Sequence, residues 1–519
     1  MIRRADGAEY DCIVIGAGHN GLACAAYLAR AGRSVLVLEA RDRIGGAAGT
    51  REFAAGFRVS SAAHLLHGLP GDLREELALE RHGLKPAAKA MPTTALLTDA
   101  APLDVDPGGG GVESEARAAY EARMRRFAAL LARMLSRAPP RLGTTRWRDR
   151  LELLRLGAAL RLLGRRDMRE LLRVGAMNVF DLLDERFESD ALKGALAFDA
   201  VLGSNYGPRS PGTVFTLLYR LAGLAAGGTM GIWHPHGGVG ALCGALEASA
   251  RGAGATLRTG ARVVRIAVEA DRTAGVELQD GERITAPIVV SGADPKTTLL
   301  RLLGAAHLDA GFVRAITRLR NHGLAAKLHL ALDRPPNFTG LDRVRAAGRL
   351  LIAPSMTYVE QAFDHSKYGE WSAAPIMEIV VPSLTDPSLA PQDRAVLSAV
   401  VQYVPYAPAG GWEEGRARLT NLAIDTLERH APGLRASVLA AELLTPPDIE
   451  REFGIAGGHW HHVDLALDQF HLWRPYPGAG GYGTPLPGLY LCGAGTHPGG
   501  GVLGLAGRNA ARQVLRGKD

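Results

Sequence analysis

The sequence predicts an α/β protein, and three observations predict it. The chain opens on a buried strand, a glycine-rich turn and a helix. Strands that end in glycine turns recur in the middle and at the end of the chain. Between them lie blocks of helical periodicity rich in arginine. Together they describe a Rossmann-like domain built from discontinuous segments, with an α+β domain that carries a helical insert. The first domain is expected to comprise 1–105, 227–300 and 485–519. The second takes 106–226 and 301–484 and includes an Arg-rich insert over 113–186.

At the N-terminus, Asp11-Cys-Ile-Val-Ile reads as a buried strand that runs into Gly16-Ala-Gly18-His19-Asn20-Gly21. A helix is expected over Leu22–Ala31. A second strand, Ser34–Leu38, ends at Glu39, followed by Ala40, Arg41 and the turn Gly45-Gly46-Ala47. The first glycine allows the tight turn, the second lets backbone approach a pyrophosphate, and the third lets helix and strand pack closely. The helix N-terminus favours the bridging phosphates. Glu39 can accept hydrogen bonds from the adenosine ribose. This unit binds a dinucleotide.

Further along, Gly56–Ser60 reads as a strand, Pro70–Leu79 as a short helix, and Asp106–Gly111 as a turn or loop. Glu113–Arg137 and Trp147–Arg186 carry Leu, Ala and Met at helical spacing, with Pro139-Pro140 between them. Pro208–Ala225 is a helix, and Trp233-His-Pro-His-Gly-Gly238 leads into another that ends near Gly252. Short strands are expected at Thr256–Thr259, Ala261–Ala267 and Gly275–Gln279. Ala286–Ser291 is a buried strand that ends at Gly292. Lys327–Leu332 and Ile376–Val381 read as strands, and Trp412–His430 as an amphipathic helix. Pro487–Cys492 is the last buried strand, and Leu503–Arg516 closes the chain as a helix.

Composition sets limits. With 519 residues, 47% hydrophobic and 22% charged, the chain is long enough for two domains and ordinary for a soluble protein. No apolar run reaches membrane-spanning length, and no leader precedes the first strand near Tyr10. Cytoplasmic placement, with peripheral contact at the inner membrane surface, is the expectation. The four cysteines form no Cys-x-x-Cys pair, so a redox-active disulfide is not expected and a reducing compartment fits. Net charge is +7, yet Arg117–Arg173 holds sixteen arginines, no lysine and five acids, a net +11 that leaves −4 for the rest. That segment has three readings: a solvated helical face, a membrane-surface element, or a nucleic-acid site. The last lacks interleaved aromatics and ranks lowest, so no nucleic-acid partner is expected.

The N-terminal Gly16–Gly21 turn, Glu39 and Arg43-Ile-Gly45-Gly46 resemble the FAD fingerprint of the phytoene-desaturase-like flavoproteins. So do the C-terminal run Leu489-Tyr-Leu-Cys-Gly493-Ala-Gly495-Thr-His-Pro-Gly-Gly-Gly501-Val502, and His462-Val-Asp-Leu-Ala-Leu-Asp468-Gln469 with Arg474-Pro. The resemblance spans essentially the whole chain. It points to the branch with FAD-type carotenoid ketolases and pyridine nucleotide-disulphide oxidoreductase domain-containing protein 2. It implies an FAD-binding domain of amine-oxidase/phytoene-desaturase type, one non-covalently bound FAD, an apolar cavity, and oxidation of a lipid-like molecule. Two stretches depart from the family pattern. Trp233-His-Pro-His-Gly-Gly238-Val-Gly stands where relatives read Trp-Gly-Tyr-Val-x-Gly-Gly-Met-Gly, and Val463-Asp464 stands where they carry a glycine and an acid.

An extended FAD needs several glycine turns, which Gly292, Gly493, Gly495 and Gly501-Val502 supply beside the N-terminal pair. By resemblance, the backbone of Val263 meets the adenine. No second fingerprint for a nicotinamide is visible. The electron acceptor can be oxygen, a quinone, NAD(P) or another protein.

For chemistry, the candidates are His462, Lys327 and His64. His462 is placed beside the flavin by resemblance, with plain structural hydrogen bonding as the alternative. Lys327 is a charge inside an apolar strand, either paired to a carboxylate or touching the flavin pocket. His64 and His67 follow a strand expected near the flavin, and either, or neither, is a base. His459, His461, His462 and Asp464 do not make a metal site, because alternation sends adjacent residues to opposite faces. The expected function is FAD-dependent dehydrogenation or oxidation of a large apolar substrate (polyene, carotenoid-like or lipid) by hydride transfer to flavin N5. Desaturation, ketolation and amine or alcohol oxidation all fit. The alternative is a flavin-binding scaffold or assembly protein with little turnover. Oligomeric state is not legible.

Overall fold

A computed structural model describes residues 9–105, 113–143 and 146–517. The expected turn at Asp106–Gly111 lies outside them. Five short parallel strands form the first sheet, in the order Leu489–Leu491, Ile288–Ser291, Cys12–Ile15, Val35–Leu38, Thr256–Arg258. The three glycine-ended strands thus come from the start, middle and end of the chain. Each is a continuous apolar run, as a parallel sheet covered on both faces requires.

Alternation decides what covers each face. Cys12, Val14, Val35 and Val37 pack under the helices His19–Arg30, Gly240–Gly252 and Leu505–Arg516. Ile13, Ile15, Leu36 and Leu38 pack against a three-stranded antiparallel sheet, Val263–Glu269, Arg272–Leu278 and Arg283–Thr285. The period of two along each strand sends alternate residues into two separate cores.

The second sheet has seven strands, in the order Val438–Leu444, Ala325–Leu332, Ala395–Gln402, Met377–Val380, Arg349–Ile352, Thr93–Ala95, Leu103–Asp104. Its even-numbered positions Ala326, Leu328, Leu330 and Leu332 join the core beneath helix Gly415–Glu428. Helices Ser114–Leu135, Asp190–Val201, Thr213–Gly227 and Met356–Ser366 build another core beside it.

Several boundaries move. The expected first domain cannot run to 105, because Thr93–Ala95 pairs in parallel with Arg349–Leu351 and belongs to the seven-stranded sheet. The helical block 147–186 is three helices, Trp147–Leu162, Gly164–Val174 and Val179–Asp184. It breaks where Gly164 turns left-handed and where Asn178 caps the last helix. Strands Arg349–Ile352, Ala395–Gln402 and Val438–Leu444 and helix Asp190–Val201 were not expected. Gly348 and Pro354, Pro391 and Pro405, and Gly433 and Pro446 bound the three strands, but a short apolar run between turn residues does not by its periodicity separate a buried strand from a buried helix segment. All four cysteines are buried free thiols. No helix of the described residues is long and apolar enough to cross a membrane.

Candidate functional site

A cavity of about 580 Å³ runs between the two sheets. One end is made of backbone. Gly16 adopts φ +91°, which turns the chain sharply off the first strand. Gly18 caps the following helix, so the first N–H groups of that helix face the cavity without intrahelical partners. A Cβ on Gly18 would meet no protein atom within 4 Å and would project into the open space. A Cβ on Gly21 would lie 2.0 Å from the Gly16 carbonyl oxygen, so this glycine serves helix–strand contact instead. Glu39 is buried, and its carboxylate accepts from Ala17 N–H at 2.7 Å and Arg41 N–H at 3.0 Å. Each carboxylate oxygen keeps a further lone pair for a ligand hydroxyl. Gly45 N–H donates to the Ala17 carbonyl at 2.9 Å and ties the second glycine turn to the first.

Of the cofactor candidates, Gly16, Gly18, His19, Asn20, Gly21, Glu39, Ala40, Arg41, Gly45, Gly46, Ala47, Val263, Gly292, Gly501 and Val502 all line this cavity. Gly493 and Gly495 do not; Ala494 between them does. A Cβ on Gly493 would sit 2.6 Å from the Gly292 carbonyl oxygen, and one on Gly495 2.5 Å from Pro295. Both therefore permit the turn after the last strand to pack closely on the turn after the middle one, its parallel neighbour.

The other end is made of side chains. Cross-strand register sets Lys327 and Glu378 opposite Val400 from its two sides, in one row across three strands. Odd positions of strand Ala325–Leu332 face the cavity side while even positions enter the core. That alternation is why a lysine interrupts an apolar strand. His64 bridges the row: its Nε2 lies 2.9 Å from Glu378 Oε1, and its Nδ1 bonds Lys327 Nζ. Glu378 also accepts from Arg349 Nε at 2.5 Å and from Arg220 at 3.1 Å. Arg349 and Arg220 in turn hold Asp199, at 2.5 and 2.9 Å. Arg220 reaches His67 Nε2 at 2.9 Å.

Electrostatics follow from burial. The Lys327 amine is pushed well below its usual range because it is wholly buried. His64 is lowered to about 4 by burial and then by the lysine. Burial would raise Glu378, but Arg349 and His64, then Arg220, hold it well below the usual carboxylate range.

These contacts correct two expectations. Lys327 does not line the cavity; it stands behind His64, with the imidazole rather than a carboxylate as its direct partner. His64 lines the cavity, but both ring nitrogens are engaged, so it is not an open base. The unpartnered nitrogens lie elsewhere. His67, His461 and His462 line the cavity, and each has a buried Nδ1 without a partner. His462 sits at φ +65° in a turn closed by its N–H on the His459 carbonyl. Buried Arg474 fixes that turn, donating to the carbonyls of His461, Val463, Asp464 and Ala494 at 2.7–3.1 Å. Burial lowers His462 and His19 to about 4, so both are neutral near pH 7.

Asp199, Tyr219, Arg220, Glu378 and Trp460 also line the cavity and were not nominated. Glu378 carried the same signal as Lys327, a charge within an apolar strand. The others lie on helices or loops with no local mark. No residue of the insert 113–186 contributes to the lining. Among the described residues, no group of three or more His, Cys, Asp or Glu side chains is placed to hold a metal ion.

The features suit a large, extended ligand with a diphosphate. The cradle at Gly16 and Gly18 is open, the helix N-terminus faces it, and three imidazole nitrogens wait unpartnered further along.

Comparison with known proteins agrees with that fit. Residues 21–515 match the family model described as flavin containing amine oxidoreductase. The mouse protein named pyridine nucleotide-disulfide oxidoreductase domain-containing protein 2 is 38% identical, over 98% of this chain and 94% of its own length. A phytoene desaturase (lycopene-forming) of Pseudescherichia vulneris is 27% identical, over 98% of this chain and 99% of its own. The crystal structure of an oxidoreductase from Methanosarcina mazei shares the fold at TM-score 0.60 and 22% identity, covering 97% of this chain and 99% of that one.

Proposed function

The chain belongs to the flavin-containing amine oxidoreductase family and is an FAD-dependent oxidoreductase, and from that premise we propose that it dehydrogenates or oxidises a large, mainly apolar substrate. A polyene, a carotenoid-like molecule or a lipid is the class. The observation that carries the reading is the wall of the cavity beyond the glycine turns. Leu65, Ala200, Leu202, Leu465 and Leu503 line it together, with Trp460 among them. Such a wall shields a C–H bond from water, and the Asp199, Arg220 and Glu378 charges at the same end are taken up by one another.

Bound FAD supplies a hydride acceptor at N5. The chain's own residues do the rest. The Gly16–Gly21 turn and the helix after it would hold the diphosphate, Glu39 would hold the adenosine ribose, and the Val263 backbone would meet the adenine. His461 and His462 present neutral imidazoles with a free Nδ1, while His67, whose Nε2 accepts from Arg220, carries its proton on Nδ1 and can only donate there. The row Lys327–His64–Glu378 positions the floor of the site, with His64 held in the tautomer that donates Nε2–H to Glu378.

Anaerobic mixing of the holoprotein with long-chain polyenes and lipids tests the reading. Absorbance at roughly 450 nm, from oxidised flavin, should bleach on mixing. Lys327→Met should keep its flavin and bleach more slowly, because His64 loses the partner of its Nδ1 and with it the fixed floor of the site. A panel that never bleaches the wild-type flavin sinks the assignment and leaves a scaffold that holds flavin without turnover.

A further inference from the structure

The arginine-rich insert has a geometry that the cavity does not use. Helix Trp147–Leu162 buries none of its residues, and helix Gly164–Val174 buries only Val174. Trp147, Leu154 and Leu162 are 66%, 70% and 84% exposed. Their spacing of seven and eight residues puts them on one stripe of the helix, with Leu151 and Ala158 between them. The stripe faces away from the protein. Arg148, Arg150, Arg155 and Arg161 flank it. On the next helix Leu172 is 70% exposed.

Beside the stripe lies an open concavity of about 710 Å³, lined by Arg123, Arg165, Arg166, Arg169, Arg173 and Arg186 around one acid, Glu170. Glu170 is already shared by Arg173 at 3.0 Å and Arg186 at 2.8 Å. Asp167 is held by Arg126 at 2.7 Å and Arg123 at 3.6 Å. Among the described residues, Arg165, Arg166 and Arg169 have no carboxylate at ion-pair distance. Arg173 is also held by Glu185 at 2.9 Å, so three of the six guanidinium groups around the hollow keep no carboxylate, and these repel one another unless an anion sits there.

We propose that helices 147–162 and 164–174 form a docking face that lies flat on an anionic phospholipid bilayer, with the arginine hollow seating lipid phosphates. Charge complementarity fixes the partner. An exposed Leu and Trp stripe bordered by arginine, with Glu152 beyond it held by Arg137 and Arg155, fits the acyl–headgroup boundary, where Trp settles and guanidinium groups meet phosphate. A second copy of the chain would bring the same positive charge to the same face. No helix of the described residues spans a membrane, so the contact is one-sided. The face stands apart from the cavity and does not depend on the substrate proposed above.

Flotation of the full-length holoprotein with vesicles tests this. Vesicles of phosphatidylcholine mixed with phosphatidylglycerol should carry the protein upward, and phosphatidylcholine alone should not. Added salt should release it. Leu154→Glu with Leu162→Glu should abolish flotation while flavin content and melting stay unchanged, because neither side chain is buried. Arg165→Ala, Arg166→Ala and Arg169→Ala together should weaken binding about a hundredfold or more. Equal binding to both vesicle types, binding that survives both variants, or a dimer held through the stripe without vesicle binding overturns the proposal. So does an arginine hollow that takes inorganic phosphate in a protein that ignores vesicles.

Discussion

The two ends of the cavity are built on opposite principles. The glycine-turn end is backbone from one contiguous stretch, residues 16–47, and its contacts are N–H groups, carbonyls and one carboxylate. The far end is side chain. Its parts come from at least six separated places: His64, Asp199, Arg220, Lys327, Arg349 and Glu378. At the first end an added atom either strikes backbone, as at Gly21 and Gly45, or enters the ligand's space, as at Gly18. The second tolerates shape change but depends on every charge having its partner. A backbone cradle fixes what is bound, and a side-chain network fixes what is done to it.

The sharpest way to break this comparison is within the first end. Gly21→Ala places a methyl 2.0 Å from the Gly16 oxygen, in backbone that has nowhere to go, so the variant should misfold. Gly18→Val is different. Gly18 has φ −71° and ψ 167°, a conformation valine adopts readily, and no protein atom lies within 4 Å of its Cβ position. It should fold with normal circular dichroism and purify colourless, its flavin content down at least about tenfold. A yellow Gly18→Val protein would mean that the diphosphate does not lie on this turn.

That pair also explains what the sequence could and could not reveal. A glycine turn has local grammar: strand, glycine spacing, helix and acid all fall within thirty residues, so Gly16 to Glu39 could be read directly. Gly493 and Gly495 were legible as glycines that matter but not as to why, since their constraint comes from Gly292 and Pro295, two hundred residues away. Lys327 stood out as a charge in an apolar strand. Its setting did not, because His64, its direct partner, comes from a distant loop, and Glu378 is brought alongside by the register of three strands, one of which (Ala395–Gln402) sequence periodicity did not separate from other buried runs. Arg220 and Asp199 sit on helices, where a charged residue looks like any solvated one. The second glycine turn and the histidines near 462 owed their reading to family resemblance more than to spacing.

Acid should separate the ends next. His19, His64 and His462 line the cavity, and burial lowers each to about 4. Between about pH 6.5 and 4 the unfolded chain takes up these protons and the folded chain does not. Stability therefore falls as pH falls through that window, by up to about 3 kcal/mol for each histidine. Thermal midpoints measured from about pH 7 to about pH 4.5 should drop steeply, and His462→Gln should flatten the slope. A midpoint that holds level across the window would show that these imidazoles are not protected from protons.

A smaller loss should come from the charge network alone. Arg349→Met removes the fork that joins Asp199 and Glu378 and leaves Asp199 to Arg220 and Glu378 to Arg220 and His64. Breaking one side of a buried pair costs about 3–5 kcal/mol. Arg349→Lys keeps the charge but not the two-pronged geometry and should recover only part of it. Urea unfolding of the two variants measures the difference. Flavin content should change in neither, because the glycine turns do not touch this residue.

The smallest effect is expected where the two ends meet. Tyr219, on helix Thr213–Gly227, donates its buried hydroxyl to the Gly500 carbonyl at 2.7 Å. Gly500 in turn packs so tightly on His461 that a Cβ there would lie 1.9 Å from its Nδ1. Tyr219→Phe keeps the ring and its packing and deletes one hydrogen bond, leaving a buried carbonyl without that donor. The cost should be about 1–2 kcal/mol, read as a modest fall in urea midpoint with flavin content intact. The bond spans the second region and the last glycine-rich loop, so it reports directly on how strongly one end feels the other. If its loss empties the protein of flavin, the backbone cradle and the side-chain network are one cooperative unit.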